Sequence, residues 1–124
     1  EKDEWVLPKG KIRNHDSSID AALNRVKIET GLDAKILSTA GETSYEFFSI
    51  SRKQPVCNQI TWYIMTTKNK EFKIDKNLGF QDGGFFPIDE ALDMISYNQD
   101  QSLVNLSYKK YKEMMKEKKE KVVI

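Results

Sequence analysis

Apolar and polar positions follow two rhythms along this chain, and each change of rhythm marks an element. Between Ser17 and Gly31, apolar Ile19, Ala22, Leu23 and Val26 recur at three- and four-residue intervals, the spacing of one helix face. Ser17 and Asp20 stand as a capping box, and Gly31 takes the place of a helix stop. The spacing predicts a helix from Ser17 to Gly31 whose stripe faces a core. Residues 34–39, 44–50 and 60–66 are rich in β-branched and aromatic side chains and read as three strands. Residues 51–59, with turn-prone Lys53-Gln54-Pro55, read as the loop between the last two. A short strand-like run over 4–7 is stopped by Pro8 and Gly10. Gly79, Gly83 and Gly84 mark turns before a short strand at Phe85 and Phe86.

Pro87 opens a second helix at its first position, running to about Ile95, with Asp89 and Glu90 in the first turn. A last helix is expected over about 101–119, burying Leu103, Leu106, Met114, Tyr108 and Tyr111. The order of strand, loop, helix, strands and helix suits an α/β/α sandwich. No repeat or Pro/Gly/Ser-rich linker divides the chain, so residues 1–124 are read as one domain ending in a basic helix over about 101–121.

Composition narrows the function classes. A chain of 124 residues with 39% hydrophobic content suits one modest core. Twenty basic residues face 19 acidic ones, so there is no global pull toward nucleic acid or membrane. One cysteine, Cys57, excludes an internal disulfide and a multi-cysteine zinc site, and weakly favours a reducing compartment. It reads as a packing or loop residue. No apolar run approaches the ~20 residues that span a bilayer, and no signal peptide is visible. A cytoplasmic protein away from membranes is expected, although the sequence begins at Glu1 rather than Met.

The segment over 108–121 carries seven lysines against three glutamates, interleaved with Tyr108 and Tyr111. Lys109, Lys110, Lys112 and Lys116 are therefore RNA-binding candidates. The plainer reading is a solvated helix laced by Lys109–Glu113, Lys116–Glu120 and Glu117–Lys121 pairs, and it takes precedence.

The segment GKIRNHDSSIDAALNRVKIETGL, residues 10–32, resembles the Nudix box GX5EX7REUXEEXGU, where U is aliphatic. Gly10, Asp16, Val26, Glu29, Gly31 and Leu32 keep the frame, while Asn24, Arg25 and Ile28 stand where the pattern has Arg, Glu and Glu. Trp5-Val6-Leu7-Pro8-Lys9-Gly10 resembles the W-x-x-P-K-G lead-in of Nudix proteins that act on dinucleoside polyphosphates, diphosphoinositol polyphosphates or capped RNA. Ile60-Thr61-Trp62-Tyr63-Ile64-Met65 is similar to the strand that follows the box, and Phe85 to Ala91 to the junction closing many of these domains. These landmarks cover most of residues 5–112. The resemblance implies a Nudix-type α/β/α sandwich with a mixed β-sheet and about two strands before the lead-in. Only four residues precede Trp5. Either those strands lie upstream, or the sheet is trimmed and a partner covers its exposed edge.

The resemblance also implies carboxylates on the box helix holding Mg2+ or Mn2+, which bridges phosphate oxygens and helps water attack phosphorus. Positions 25, 28 and 29 fall within about one turn and converge. Here they are Arg25, Ile28 and Glu29. A guanidinium offers no lone pair to a metal. Arg25 is expected to pair with Glu29 at i,i+4, worth about 0.3–0.5 kcal/mol if exposed, or to contact a phosphate directly. Asn24 removes the Arg that orders the carboxylates in the family. Ile28 reads as a core contact ahead of a docking patch.

Asp16 and Glu29 are thus residual catalytic positions. Lys9, Lys11, Arg13 and Arg25 are phosphate-binding candidates, and Trp62 and Phe86 are candidates for base stacking. His15, the single histidine, reads as a surface residue. The expected function is a catalytically inactive Nudix-fold binding protein that engages a nucleotide, RNA or a ribonucleoprotein such as the ribosome, without metal or cofactor. The alternative is a weak pyrophosphohydrolase for dinucleoside or diphosphoinositol polyphosphates. It would use Mg2+ or Mn2+ on Glu29 and recruit ligands such as Glu71 or Asp82. A purely structural subunit is the third option.

Overall fold

Ser17 and Gly31 set the limits of the first helix through local chemistry. The computed structural model describes residues 4–12, 17–68, 71–74, 76–80 and 82–123. Helix α1 spans Ser18–Thr30. The Ser17 hydroxyl accepts from the Asp20 N–H at 3.0 Å, satisfying one of the donors a helix start leaves open. Gly31 adopts the left-handed region at φ 75° and donates to the Lys27 carbonyl at 2.9 Å, a conformation that costs glycine nothing. Replacing Ser17 by Ala is expected to lower stability by about 1 kcal/mol, read as a lower urea midpoint at unchanged slope.

Strands β1 (Ala34–Ser49) and β2 (Gln54–Thr67) form one long antiparallel hairpin, in register from Ala34↔Thr67 to Ser49↔Gln54. This corrects the expectation of three strands separated by a loop over 51–59. Residues 50–53 make the turn, with Lys53 at φ 54°, and Pro55 already pairs with Phe48. The gap before Ser44 also closes. Gly41, at φ 121°, sits beside two register irregularities, Ile36/Ser38 and Thr39/Gly41. Bulges of this kind bend a strand without ending it.

The remaining elements are α2 (Ile88–Met94) and α3 (Asn98–Val123). Pro87 stands at the cap of α2 rather than inside it. Residues 4–7 and 85–86 are not strands. Trp5 alone makes a parallel bridge, to Ile95, and Phe86 lies edge-on against Trp5 at 5.4 Å. The Trp5 N–H donates to the Ser96 hydroxyl at 2.9 Å, and the Ser96 N–H donates back to the Trp5 carbonyl at 3.2 Å. The lead-in is therefore fastened to the end of α2. Tyr97 adds a tie, its hydroxyl donating to Glu4 at 2.7 Å. That bond and the Glu4 charge raise the Tyr97 pKa above its ordinary 10.0. The tie is whole below pH 10.0 and is lost as pH climbs through the raised value. A phenolate absorbance titration is expected to show Tyr97 ionising late, a delay that Glu4→Gln reduces.

The α/β fold is thus built on a hairpin, with α1 and α3 both packed on β1. Its core is Leu32, Trp62, Ile95 and Leu103. So small a sheet covers less than the helical stripes offer. Ala22, Leu23 and Val26 are half-buried, but Ile19 is exposed. In α3, Leu103 is buried and Tyr111 and Met114 are half-buried, whereas Leu106 is 63% exposed and Tyr108 is also exposed. The packed face runs through Val104, Ser107 and Tyr111, one step round the helix from Leu106. No helix among the described residues is long and apolar enough to cross a membrane.

Candidate functional site

The second half of α1 carries the residues of interest, and packing fixes them. Glu29 is 8% exposed. The Arg25 Nε–H donates to Glu29 Oε2 in a close ion pair, with the Arg25 side chain 34% exposed. One guanidinium and one carboxylate sum to no net charge, and the guanidinium lies against the oxygens a metal would need. The loop before the helix is built around this pair. A Cβ on Gly10 would lie 2.8 Å from Arg25 Cδ and 2.9 Å from its Cγ, too close for carbon atoms to coexist. A larger residue there would have to push the arginine stem aside.

Beyond the pair, Thr30 is buried, and its hydroxyl donates to the Val26 carbonyl at 2.6 Å. Its carbonyl accepts from the Lys73 N–H at 2.8 Å, so the later segment is tied to the helix end. The Ser18 and Tyr63 hydroxyls meet, joining the first turn of α1 to β2. Ile28 is 44% exposed. It is not a core contact, because α1 turns its other face to the sheet.

The sequence-derived candidates are scattered more widely than expected. The Lys9 ammonium lies 5.3 Å from the centroid of the Tyr45 ring, a cation–π distance. Lys11 is exposed. Arg13, His15 and Asp16 lie outside the described residues. Trp62 is buried, its indole N–H donating to Thr43 Oγ1 at 2.8 Å, so it serves the core and presents no open face. Phe86 keeps part of its ring exposed beside Trp5. Asp82 accepts from the neighbouring Gly83 N–H at 2.8 Å, and Glu71 is exposed. Among the described residues no three His, Cys, Asp or Glu side chains converge on one point. Of the described positions where the box pattern has carboxylates, only Glu29 keeps one, and it is shared with a guanidinium, a donor set that does not fit a divalent ion.

On α3, Lys110 donates to the Thr39 carbonyl at 2.7 Å and Lys112 lies 5.5 Å from the Tyr108 ring. Lys109 and Lys116 are exposed. Lys109 and Glu113 form no ion pair; the other two expected pairs involve side chains outside the described ones. Sequence reasoning missed Tyr45 and Phe47. Their rings stand 6.0 Å apart on one face of β1, both partly exposed. Two aromatics at i,i+2 in a polar run were the available signal.

A family model for the NUDIX domain matches residues 1–106. A protein of Mycobacterium tuberculosis (strain CDC 1551 / Oshkosh) named "Putative mutator protein MutT4" is 26% identical over 103 residues, which is 83% of this chain. The chain spans 40% of that relative's length.

Proposed function

The chain belongs to the NUDIX domain family, and on that premise we propose that it is a binding member that engages a nucleotide or RNA without metal-dependent hydrolysis. The observation that carries this reading is the Arg25–Glu29 pair. It neutralises the carboxylate that survives in the described part of the box and sets a permanent cation where the family places a metal ligand. Lys9 on the lead-in and Lys11 just after it, beside a pair that carries no net charge, leave this surface with a positive balance suited to phosphate. The exposed Lys109, Lys112 and Lys116 of α3 offer further contacts to a longer RNA or a ribonucleoprotein such as the ribosome, and a cytoplasmic location is part of this proposal. Isothermal titration tests the reading directly. Heat is expected with nucleoside polyphosphates or an RNA oligonucleotide, weakening steeply with salt, and none with Mn2+ alone. Tight Mn2+ binding at the box would overturn it.

A second reading is a weak pyrophosphohydrolase. Its support is the likeness to a protein named for mutator activity, together with the W-x-x-P-K-G lead-in. Phosphate release from dinucleoside and diphosphoinositol polyphosphates, with Mg2+ and with Mn2+, decides it. An inactive but folded protein removes this alternative.

A further inference from the structure

We propose that Arg25 grips a phosphoryl group of the bound nucleotide or RNA with its two Nη groups, and that Glu29 is the residue that aims them. This role rests on metal-free binding and names the group that holds the phosphate in it.

The donors of Arg25 are divided between the two tasks. A guanidinium carries its N–H groups in a fixed plane, one on Nε and the rest on the two Nη atoms. Glu29 takes the Nε–H through its Oε2. Among the described residues, no other acceptor is bonded to Arg25. With Nε engaged, the end-on pair Nη1 and Nη2 is left, and its parallel N–H bonds match two oxygens of one phosphoryl group. Pairing with Glu29 and gripping a phosphate are therefore compatible.

Burial sets the direction of the fork. Glu29 is 8% exposed, whereas the Arg25 side chain is 34% exposed. Gly10 covers the arginine stem so closely that a Cβ there would stand 2.8 Å from Cδ, 2.9 Å from Cγ and 3.3 Å from Cβ. The stem lies under Gly10 and Nε is turned to Glu29, so the exposed part of the side chain falls at the Nη end. An arginine held at both points has already given up the rotamer freedom that a mobile one would lose on binding.

Charge comes from elsewhere. The pair sums to no net charge, so Arg25 contributes direction and hydrogen bonds. Lys9 and Lys11, the chain neighbours of Gly10 on either side, are both exposed. The Lys9 ammonium is held 5.3 Å from the centroid of the Tyr45 ring. A metal ion on a phosphate both neutralises charge and orients oxygens. Here the lysines do the first and the fork does the second. A carboxylate beside an anion site ordinarily opposes binding, and its positioning role gives Glu29 the opposite sign.

Isothermal titration of the 124-residue chain in EDTA, with a nucleoside triphosphate and with an RNA oligonucleotide, separates the fork from a plain charge. Arg25→Lys keeps the charge but loses the fork, and is expected to weaken binding about tenfold, the equivalent of 1.4 kcal/mol. Glu29→Gln keeps an oxygen for the Nε–H and drops the negative charge, so it is expected to bind at least as tightly as the parent. Glu29→Ala removes the anchor and is expected to bind about tenfold more weakly, where a charge-only surface would bind more tightly. A larger loss with the triphosphate assigns the fork to a terminal phosphoryl group, and a larger loss with RNA to a diester. If the parent binds and Arg25→Lys binds equally well, or Glu29→Ala binds more tightly, the fork is overturned and the binding role stands. No heat from the parent with either probe removes both. Arg25→Lys and Glu29→Gln decide the matter even if Glu29→Ala does not fold.

Discussion

The double variant Arg25→Glu, Ile28→Glu is expected to bind Mn2+ about a hundredfold more tightly than the parent, on the scale by which single ligand-shell changes shift metal affinity. Two changes act together. Position 25 exchanges a fixed cation for an anion, and position 28 adds a second carboxylate within one turn of Glu29. Ile28 is already 44% exposed, so a charged side chain there meets water rather than core. Without metal, three carboxylates on one turn repel each other, and the variant melts below the parent. Saturating Mn2+ then restores stability by about 2.7 kcal/mol at a hundred times the dissociation constant. A thermal melt with and without Mn2+ reads both effects. A melt unmoved by the ion would mean that the helix is not oriented to hold one, and would remove loss of ligands as the ground for the proposed metal-free role.

Arg25→Ala is expected to destabilise the fold by about 1–3 kcal/mol, the cost of leaving a buried ionised group without its partner. The surface figure of about 0.3–0.5 kcal/mol for an i,i+4 pair does not apply, because Glu29 is 8% exposed. Arg25 also loses the stem on which Gly10 rests, so the box loop loosens at the same time. Urea melts of Arg25→Ala, Glu29→Ala and the double variant form a cycle. The double variant should recover much of the loss, since neither charge is then stranded. Equal and additive losses would show that the pair is worth no more than an exposed one.

These effects bear on how much was readable in the chain. Local chemistry was legible. The Ser17 cap, the Gly31 stop and the Arg25–Glu29 pairing all depend on residues within one or two turns. Depth was not. Nothing around Glu29 in sequence announces its burial at 8% exposure. Ile19 and Leu106 were assigned to the core by periodicity, yet both are exposed beside a sheet too narrow to cover them, and Ile28, read as a core contact, lies on the face of α1 turned away from the sheet. The single β1 was hidden because Gly41 reads as a break, whereas a bulge lets the strand continue through it. The contact between Lys9 and Tyr45, and with it the link between box loop and hairpin, joins residues far apart in sequence and follows only from the fold.

The extra residues at Leu37 and Ala40 give the hairpin an elbow. Deleting Ala40 would keep every partner on either side, Thr39 with Tyr63 and Gly41 with Trp62, yet remove one of the two bulges and lessen the bend. Its outer half would then swing as a rigid paddle and carry Tyr45 off the Lys9 ammonium. The aim of that paddle is therefore stored in two residues of surplus chain length, and two proteins with the same surface chemistry but different elbows would offer it to different surroundings.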